Sequence, residues 1–593
     1  MTAANDTPEL AALFRRAVEH HRQGRLADAL KLYDTVVRAA PDNAVVHCNR
    51  GIALAAFGRQ EDAIRSYDHA IRCQNTYSDA YFSKAVALAR LLRHSEALQN
   101  YDLAIRYDAN HIPALRNKGN TLLDLGRPNE ALPCFEQAIA IAPDTAAAHY
   151  DKGNALRALD RLEDAAMSYD RAIALRPDYA TALSNKGNVL YELQRPGEAL
   201  ASYDRAIRAD PNLPVTHYNR GKALQSLNRL DDALASFDRA IALHPAYADA
   251  FCNRGNVLYE FRRFDEAFAC YDRALALRPD FAGALCNKGM CKLLLGDFAE
   301  GWPLYEWRPA RDAFGRRPTP RWKRREDLEG RTLLVQAEQG LGDTIQFCRY
   351  VRVAREKGAR VILAAPDGLV RLLAPLGSDV SIIPRSATPP AFDVQVELLS
   401  LPLAFGTDAG NIPARVPYLF AEPDRIARWN ARMGNHGFKV GICWQGNKDS
   451  PTDVGRSIPL SHFERFGEIA GVRLISLQKH HGVDQLAHLP ARMTVETLGE
   501  DFDAGPDAFL DTAAVMENLD LVITSDTAIA HLAGALGRPV WSALKYVPDW
   551  RWQLGRADSP WYPTMRLFRQ AARGDWDSAF ADMERELRLL ARN

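Results

Sequence analysis

The stretch YDRAIALRPDYATALSNKGNVLYELQRPGEALAS, residues 169–202, is followed without a gap by YDRAIRADPNLPVTHYNRGKALQSLNRLDDALAS, residues 203–236. The two segments share a period of 34 residues, which continues on both sides of them. Gly and Ala let two helices of a unit approach closely, the aromatic residue fills the gap between them, and Pro ends the second helix. One unit cannot bury its apolar face alone, so the sequence predicts stacked helix pairs that wind into a superhelix.

Three sets of residues follow this period. The segment Asn-Lys/Arg-Gly begins at Asn117, Asn185, Asn219, Asn253 and Asn287. The aromatic position is occupied by Tyr33, Tyr67, Tyr101, Phe135, Tyr169, Tyr203, Phe237, Tyr271 and Tyr305. The closing proline is Pro41, Pro143, Pro177, Pro211, Pro245 or Pro279. These positions resemble the tetratricopeptide repeat, and the resemblance covers nine units over residues 10–310.

The asparagines of this motif form a row on the first helix of their units. Asparagine is a poor residue for a helix interior. Because its amide both donates and accepts, a row of amides along the concave groove can pair with the backbone of an extended peptide. The alternative is that each Asn bonds to a neighbouring turn. A similar ladder lines the groove of protein O-linked N-acetylglucosamine transferases, and this resemblance implies a protein or peptide partner for Asn117, Asn185, Asn219, Asn253 and Asn287.

Two charged rows of opposite sign also follow the period. The basic row consists of Arg16, Arg50, Lys84, Lys118, Lys152, Lys186, Arg220, Arg254 and Lys288. The acidic row consists of Asp34, Asp68, Asp102, Glu136, Asp170, Asp204, Asp238 and Asp272. The two rows predict repeated ion pairs between helices. An anion-binding stripe is the alternative, and the acidic row disfavours nucleic-acid binding.

The composition is typical of a folded cytoplasmic protein. The chain has 593 residues, which exceeds one ordinary core, and contains 74 Lys+Arg against 74 Asp+Glu. Zero net charge removes a global attraction to nucleic acid or to an anionic membrane. The amino terminus lacks a secretory signal pattern, and no uncharged apolar run of about 18 residues predicts a membrane span. The nine cysteines are scattered, and we expect them to be reduced and buried.

The second half of the chain has a different rhythm. A Pro/Arg-rich linker, residues 311–330, follows the last repeat. From Arg331 short β-branched runs alternate with amphipathic helices, and a second such series begins at Phe438. The sequence therefore predicts an α-solenoid followed by α/β structure, with two doubly wound, Rossmann-like halves at 331–425 and 426–593 that face a cleft. The last helix is expected to pack back on one half.

The strongest chemical motif is SDTAIAHLAGALGRP, residues 525–539, placed at a strand end where a helix begins. Free amides at a helix start attract phosphate, and Ser525, Thr527 and His531 can add donors. Asp526 would repel phosphate, so we expect it to cap the helix or to accept sugar hydroxyls. The alternative is that Asp526 is only a cap and His531 only a packed helix residue.

This motif resembles the diphosphate-sugar motif of the heptosyltransferase-type glycosyltransferases, in which Asp, Thr, Gly and a His precede Leu-Ala-Ala. The third position departs, because Ala528 stands where that motif has Gly. The resemblance implies a GT-B fold with a first, acceptor-side half and a second half that binds a nucleotide-sugar donor. It also implies an enzyme in which positive side chains and helix amides replace a metal, with no other cofactor.

A second match supports the first. Gln339-Gly340-Leu341-Gly342-Asp343 follows the first strand, where the same family carries a Gly-Asp pair whose carboxylate is the base. Glycosyl transfer requires deprotonation of an acceptor hydroxyl, so Asp343 is the candidate base. A helix N-cap is the other interpretation of Asp343, and both can hold. Gln339, Gly340 and Gly342 complete this acceptor-side loop, in which the glycines let the acceptor approach the backbone.

The turn after Phe438–Cys443, with Gly446 and Asn447, resembles the family loop that supplies a basic residue and small donors to the diphosphate. Lys448 and Arg456 compete for the basic role; we favour Arg456, with a surface salt bridge as its alternative. Gln478, at the end of the next strand, is predicted to contact the nucleobase or ribose.

Two further patterns are interpreted as structural. Asp501-Phe502-Asp503 matches a D-x-D metal motif of another glycosyltransferase fold, but it lies in a loop of a two-sheet cleft enzyme, so we predict no metal site. The aromatic residues of DWRW, 549–552, and SPWYP, 559–563, are predicted to pack in a core, with sugar stacking as the alternative.

Together these features predict a metal-independent, inverting glycosyltransferase that transfers a sugar from a nucleotide-diphosphate donor to a macromolecular acceptor, either a protein or a glycolipid, recruited by the superhelix. The alternative is a non-catalytic scaffold with a degenerate cleft. Neither nucleic-acid binding nor a membrane span is expected, and both a monomer and a homodimer remain open.

Overall fold

The computed structural model describes residues 8–309, 322, 327–377, 379–448 and 453–592. Most of the predicted linker, residues 311–330, lies outside the described residues. The chain forms two compact units, Met1–Pro245 and Ala246–Asn593, and each is described by itself.

The described part of the first unit is built from consecutive helix pairs. Its helices are α1 Pro8–Arg22, α2 Leu26–Ala39, α3 Ala44–Ala56, α4 Gln60–Cys73, α5 Ser78–Arg90, α6 His94–Tyr107, α7 Ile112–Asp124, α8 Pro128–Ile141, α9 Ala146–Ala158, α10 Leu162–Leu175, α11 Ala180–Glu192, α12 Pro196–Ala209, α13 Pro214–Ser226 and α14 Leu230–Leu243. The solenoid architecture predicted from the 34-residue period is confirmed.

The glycine of the Asn-Lys-Gly segment is required by close helix packing. A Cβ on Gly187 of α11 would lie 2.5 Å from the Tyr203 ring of α12, well inside contact distance. The same conflict recurs at Gly51 with Tyr67, Gly119 with Phe135, Gly153 with Tyr169 and Gly221 with Phe237. Tyr203 is 1% exposed, so the ring fills the gap that the glycine leaves. Helix α10 ends at Leu175, two residues before Pro177, as the sequence predicted.

The predicted ion pairs between the charged rows are confirmed. In the first unit they join Arg50 to Asp34, Lys84 to Asp68, Lys118 to Asp102, Lys152 to Glu136, Lys186 to Asp170 and Arg220 to Asp204, with N–O distances of 2.6–3.0 Å. In the second unit Lys288 pairs with Asp272 at 2.6 Å. The carboxylates are largely exposed, so each pair contributes little to stability and the row is a solvated feature.

The second unit begins with four further repeat helices, α15 Ala248–Glu260, α16 Phe264–Leu277, α17 Ala282–Leu294 and α18 Phe298–Tyr305. They share one apolar core with the α/β part of the unit. The rings of Trp302 and Tyr305 lie 5.2 and 5.5 Å from that of Trp550, which belongs to the α/β part. Within this unit the last repeats therefore pack against the α/β part and share its core.

The first sheet has four parallel strands in the order β3-β2-β1-β4. Its elements are β1 Thr332–Gln336, α19 Leu341–Phe347, α20 Tyr350–Glu356, β2 Arg360–Ala365, α21 Val370–Leu373, β3 Val380–Pro384, β4 Val394–Glu397 and α22 Leu401–Ala404. Two short helices, α19 and α20, therefore follow the Gly-rich turn after β1.

The second sheet has six parallel strands in the order β10-β9-β8-β5-β6-β7. Its elements are α23 Pro423–Met433, β5 Phe438–Cys443, α24 Glu464–Gly467, β6 Val472–Ser476, β7 Val495–Glu496, α25 Leu510–Glu517, β8 Leu521–Ser525, α26 Ala528–Ala535, β9 Val540–Leu544, β10 Met565–Arg569 and α27 Trp576–Leu590. Helix α27 packs on this second sheet, so the prediction that it covers one half is confirmed.

The two α/β halves confirm the predicted fold class. Between β5 and β6 a 3-10 turn, Leu460–Phe463, precedes the short helix α24. Strands β4, β7 and β10 are short strands at the edges of their sheets, and such strands give a weak sequence pattern.

Two findings bear on the predicted environment. In the described ranges no helix is long and apolar enough to cross a bilayer. Eight of the nine cysteines are buried and Cys73 is exposed, so the predicted burial is confirmed for eight of them.

Candidate functional site

The carboxyl end of β8 forms the centre of the candidate site. Ser525 is 0% exposed, and its hydroxyl is buried without a hydrogen-bond partner, so this side chain does not reach the cleft as a phosphate donor. Thr527, not Asp526, is the N-cap residue of α26, which corrects the predicted capping role of Asp526. The Thr527 hydroxyl lies 3.2 Å from that of Thr524, and both Asp526 and Thr527 are only partly buried. Asp526 and Thr527 are therefore partly exposed in this turn, whereas Ser525 is not.

Asp526 lies in an unusual electrostatic environment. Burial, and next the charge of Asp549, raise its pKa to about 6, although Trp552, Arg456 and Arg551 favour the charged form. The carboxyl therefore titrates close to neutral pH, unlike an ordinary Asp.

His531 is held on the same helix by aromatic neighbours. It is 6% exposed, its ring stacks on Trp552 at 5.3 Å, and its Nδ1 lies 3.1 Å from the Tyr562 hydroxyl. Burial, followed by the charges of Arg551 and Arg349, lowers the pKa of His531 well below its usual value. The imidazole is therefore neutral.

The acceptor-side loop meets the start of α26. Gly340 is the N-cap of α19, and its amide donates to the Asp343 Oδ2 at 2.9 Å, so Asp343 lies in the first turn and is not itself the N-cap. A Cβ on Gly342 would lie 3.0 Å from His531 Cδ2 and 3.3 Å from Ala528 Cα. Gly342 thus allows two helix starts to approach, and its predicted role of admitting the acceptor stays a prediction.

Two other residues complete the described loop. Gln339 adopts a positive φ of 60°, and its Nε2 lies 3.5 Å from the Tyr305 hydroxyl at the end of α18. The Asp343 side chain is 19% exposed, and its Oδ1 accepts a hydrogen bond from Arg551. The predicted base is therefore reachable, but it is ion-paired.

The loop after β5 contains the predicted diphosphate ligands. A Cβ on Gly446 would lie 2.6 Å from Arg456 Nη2, so the guanidinium lies directly on this glycine. Arg456 Nε pairs with Asp453 Oδ1 at 3.3 Å, as the salt-bridge interpretation predicted, while the side chain stays 22% exposed. The charge of Arg456 also acts on Asp526, so it belongs to the same site. Asn447 is exposed in the same loop.

Gln478 connects two turns through the backbone. Its Oε1 accepts from the amides of Trp444 and Gln445, both at 3.0 Å, and its Nε2 donates to the carbonyls of Gln445 and His481 at 2.8 and 2.7 Å. The residue is 9% exposed. The side-chain amide of Gln478 is therefore hydrogen-bonded to the protein's own backbone. This finding corrects the prediction that it contacts the nucleobase or ribose.

Comparison with known families gives two matches. The tetratricopeptide repeat model matches residues 2–44, 14–78, 116–173, 150–214, 218–282 and 252–305. The model of glycosyltransferase family 9 (heptosyltransferase) matches residues 466–549. The chain combines tetratricopeptide repeats with a glycosyltransferase family 9 segment. That segment contains Asp526, Thr527 and His531, whereas Asp343 lies outside it.

Individual relatives share parts of the chain. Protein FlbA of Caulobacter vibrioides is 29% identical over 332 residues, which cover 50% of this chain and 54% of FlbA. The chain thus spans about half the length of that curated relative. The structure of YrrB, titled a TPR protein with an unusual peptide-binding site, is 25% identical, covering 32% of this chain and 97% of YrrB with a TM-score of 0.29. MamA 41-end from Desulfovibrio magneticus RS-1 is 23% identical, covering 28% of this chain and 95% of that chain with a TM-score of 0.27.

The family 9 match lies in the second α/β half, and the tetratricopeptide matches lie in the helical repeats. Within the repeats, the asparagine row is partly engaged by its own neighbours. Asn185 Nδ2 donates to Asn154 Oδ1 at 3.0 Å, and Asn219 Nδ2 donates to Asn188 Oδ1 at 2.9 Å. In the second unit Asn287 Nδ2 donates to Asn256 Oδ1 at 2.8 Å.

The remaining members of the row differ from this pattern. Asn253 Nδ2 donates to the Asp249 carbonyl in its own helix at 3.1 Å, and Asn117 is half-buried on α7. Asn185, Asn219 and Asn287 therefore do not bond to a neighbouring turn, which was the predicted alternative. Each donates its side-chain amide to an asparagine of the preceding repeat, three residues after the position equivalent to its own.

The carboxylates of the D-x-D pattern have protein partners. Asp501 pairs with Arg432 at 2.8 Å, and Asp503 Oδ1 accepts from the Asp511 amide at 2.7 Å. The aromatic residues of the last loops are core residues, because Trp550, Trp552, Trp561 and Tyr562 are each at most 2% exposed. The prediction of core packing is confirmed for them.

Sequence reasoning missed the charged residues of the loop after β9. Asp549 and Arg551 alternate with Trp550 and Trp552 in the sequence. The prediction of core packing was based on the aromatic residues alone. Arg551 is 6% exposed and contacts Asp343, which is 208 residues earlier in the chain. A buried arginine needs carboxylate partners, so an Arg between two tryptophans was a usable signal for a site.

Proposed function

We propose that this chain is an inverting, metal-independent glycosyltransferase that moves a sugar from a nucleotide-diphosphate donor to a macromolecular acceptor. The observation that carries the proposal is the contact between the starts of α19 and α26, at Gly342 and Ala528. It brings the loop with Asp343 beside the turn with Asp526 and Thr527. Ligands of parallel α/β folds bind at such carboxyl ends of strands.

The proposed step needs a base and a leaving-group site. Asp343 accepts the proton of an acceptor hydroxyl while the hydroxyl oxygen attacks the anomeric carbon of the donor sugar. The bond from that carbon to the diphosphate breaks, and the nucleoside diphosphate leaves with the electron pair. Attack on the side opposite the leaving group inverts the anomeric centre.

The negative charge on the diphosphate is proposed to be stabilised at α26. The free amides of its first turn carry a partial positive charge, and the Thr527 hydroxyl and Arg456 guanidinium add donors. His531 is assigned the neutral tautomer in which Nδ1 accepts from the Tyr562 hydroxyl, 3.1 Å away, and Nε2 donates to the diphosphate. Asp526, which repels phosphate, is assigned to the sugar hydroxyls.

We propose that the acceptor, a protein or a glycolipid, is recruited by the repeat superhelix. The Asn185 amide donates to Asn154 and Tyr150, and the Asn219 amide donates to Asn188. The side-chain carbonyls of the row are proposed to accept from peptide amides. Asn117, Asn253 and Asn287 are proposed to extend this row. The reaction is assigned to the cytoplasm and requires no resident cofactor.

Metal independence is supported by the protein partners of the two carboxylates. Asp501 forms an ion pair with Arg432, and Asp503 accepts hydrogen bonds from residues at the start of α25. Arg456 supplies the positive charge near the donor instead. Activity is therefore expected to persist in excess EDTA.

The test is an assay of hydrolysis and transfer with UDP-, GDP- and ADP-sugars, applied to wild type, Asp343→Ala and Asn185→Ala/Asn219→Ala. Asp343→Ala should bind the donor as wild type does but lose at least about 100-fold in kcat, the range attributed to general-base catalysis. The asparagine double variant should keep donor hydrolysis and lose modification of a protein acceptor. Equal activity of Asp343→Ala and wild type would disprove the assigned base.

A non-catalytic scaffold is the second candidate, and one observation favours it. A Cβ on Gly342 would lie only 3.6 Å from the Ala528 nitrogen, so the first half lies close to the first amide of α26. If wild type neither binds nor hydrolyses any of these nucleotide sugars while it still binds protein partners, the scaffold function is correct.

A further inference from the structure

Arg551 connects the two α/β halves at the predicted base. It lies in the 3-10 turn Trp550–Trp552, which follows β9 of the second sheet. Its Nη2 donates to Asp343 Oδ1, its Nε donates to Gln346 Oε1 at 2.7 Å, and its Nη1 donates to Asp549 Oδ1 at 2.8 Å. Two of these partners belong to α19 of the first half, so one side chain joins both halves at Asp343.

The contacts of Asp343 leave its carboxylate little freedom. Oδ2 accepts from the Gly340 amide and Oδ1 accepts from Arg551. The Asp343 side chain remains 19% exposed, whereas that of Arg551 is 7% exposed. The carboxylate is thus partly exposed, while the guanidinium that holds it is buried.

The site also keeps Arg551 itself in place. Its guanidinium lies 4.5 Å from the Trp550 ring and 5.5 Å from the Phe347 ring, one from each half. Burial opposes its charge, but Asp549 and Asp343 outweigh that cost and raise the pKa of Arg551 above its usual value. Arg551 is therefore a fixed, permanently charged donor. A lysine could not reproduce its three divergent hydrogen bonds.

We propose that Arg551 is a positioning residue for the transfer reaction: it fixes the orientation of the Asp343 carboxylate from which the acceptor proton is taken. The inference rests on the proposed glycosyl transfer. Asp549 holds Arg551 from the other side, and Gln346 fixes the plane of its guanidinium. Through these contacts the base is correctly oriented only while the second half is docked on the first.

The test compares Arg551→Ala and Arg551→Lys with wild type for hydrolysis of UDP-, GDP- and ADP-sugars, with kcat and KM measured separately. We expect kcat of Arg551→Ala to fall by about 100-fold, the loss associated with misplacing a reacting group by about 1 Å. KM for the donor should stay unchanged, because Arg551 is not assigned to the donor. Arg551→Lys should lose nearly as much kcat as Arg551→Ala.

Rescue by free guanidinium separates positioning from mere structural support. At concentrations that leave the melting temperature of wild type unchanged, guanidinium should restore much of the kcat of Arg551→Ala and none of that of Asp343→Ala. The matched control is Arg569→Ala. Arg569 donates to the Trp552 and Gln553 carbonyls at 2.7 and 2.8 Å and supports the same turn without a contact to Asp343. Its loss should not be rescued.

The outcomes that overturn the inference are distinct from those that overturn the proposed function. Wild-type kcat in Arg551→Ala, or a lost kcat that guanidinium fails to restore while the melting temperature falls, shows that Arg551 does not position the base. Wild-type protein that neither binds nor hydrolyses any of the nucleotide sugars overturns the proposed function, and this inference falls with it.

Discussion

At the scale of single residues, the site combines groups whose pKa values move in opposite directions. Burial raises the pKa of Asp526 from 3.8 to about 6, and burial lowers the pKa of His531 below its usual 6.5. Both shifts favour the neutral form. Burial of these two groups therefore makes their charged forms unfavourable. Such perturbed pKa values are common at sites of proton transfer or ligand binding.

The pKa of Asp526 predicts a dependence of stability on pH. Because the folded-state value lies above the unfolded one, the stabilising contribution of this carboxyl is complete below about pH 4 and is lost as the pH rises through 6. Asp526→Asn stays neutral at every pH. Its free energy of unfolding should exceed that of wild type by up to about 3 kcal/mol at pH 7.5, and by almost nothing at pH 4.

The measurement is urea unfolding of both proteins at the two pH values. Asp501→Asn is the control, because Arg432 lowers the pKa of Asp501 and the neutral variant should lose stability at pH 7.5. Equal differences between Asp526→Asn and wild type at pH 4 and 7.5 would show that the carboxyl is not the titrating group.

At the scale of elements, the acceptor-side loop is held by the segment that ends the repeats. Arg308 donates to Glu338 Oε1 at 2.5 Å and to the Ser400 hydroxyl at 2.8 Å, and the two charged side chains are 4% and 3% exposed. Glu338 also accepts from the Leu399 amide at 3.2 Å. A buried pair of this kind ties the start of the loop to both α18 and the end of β4.

Breaking this pair is predicted to be costly. Arg308→Met leaves Glu338 buried without its partner, so the free energy of unfolding should fall by about 3–5 kcal/mol. Arg308→Met/Glu338→Gln should recover much of that loss, because no unpaired charge remains. The measurement is chemical unfolding of the three proteins. For comparison, Arg278→Met removes the exposed pair with Asp249 and should cost less than about 1 kcal/mol. Similar losses for Arg308→Met and Arg278→Met would contradict the proposed role of the buried pair.

The elements also show what sequence could and could not reveal. The helix pairs could be predicted from the 34-residue period, because the packing of Gly187 against Tyr203 joins residues close in sequence. The turn after β8 was recognisable because a strand end, polar residues and a helix start are adjacent in sequence. The partner of Asp343 was not, because Arg551 reaches it through tertiary structure alone. Gln478 was misjudged for the same reason: its four backbone partners depend on how two loops meet.

At the scale of the whole molecule, the second unit is larger than the α/β region that the sequence delimits. Its apolar core contains Leu293, Phe298 and Trp302 from the last repeats together with Phe347 and Trp550 from the two α/β halves. Trp302 Nε1 also donates to the Thr407 carbonyl at 2.9 Å. The last repeats are thus structurally part of the α/β unit.

This continuity predicts which fragments fold. A fragment of residues 246–593 keeps the shared core and should show one cooperative thermal transition. A fragment of residues 331–593 loses Trp302, Tyr305 and Arg308, and the loss of one buried Trp alone removes about 3–5 kcal/mol from a net stability of about 5–15 kcal/mol. It should bind a hydrophobic dye and show red-shifted tryptophan emission, because Trp550 becomes exposed. Trp302→Ala in the longer fragment isolates the contribution of that ring. Cooperative unfolding of residues 331–593 with blue-shifted emission would mean that the α/β halves form their core without the repeats.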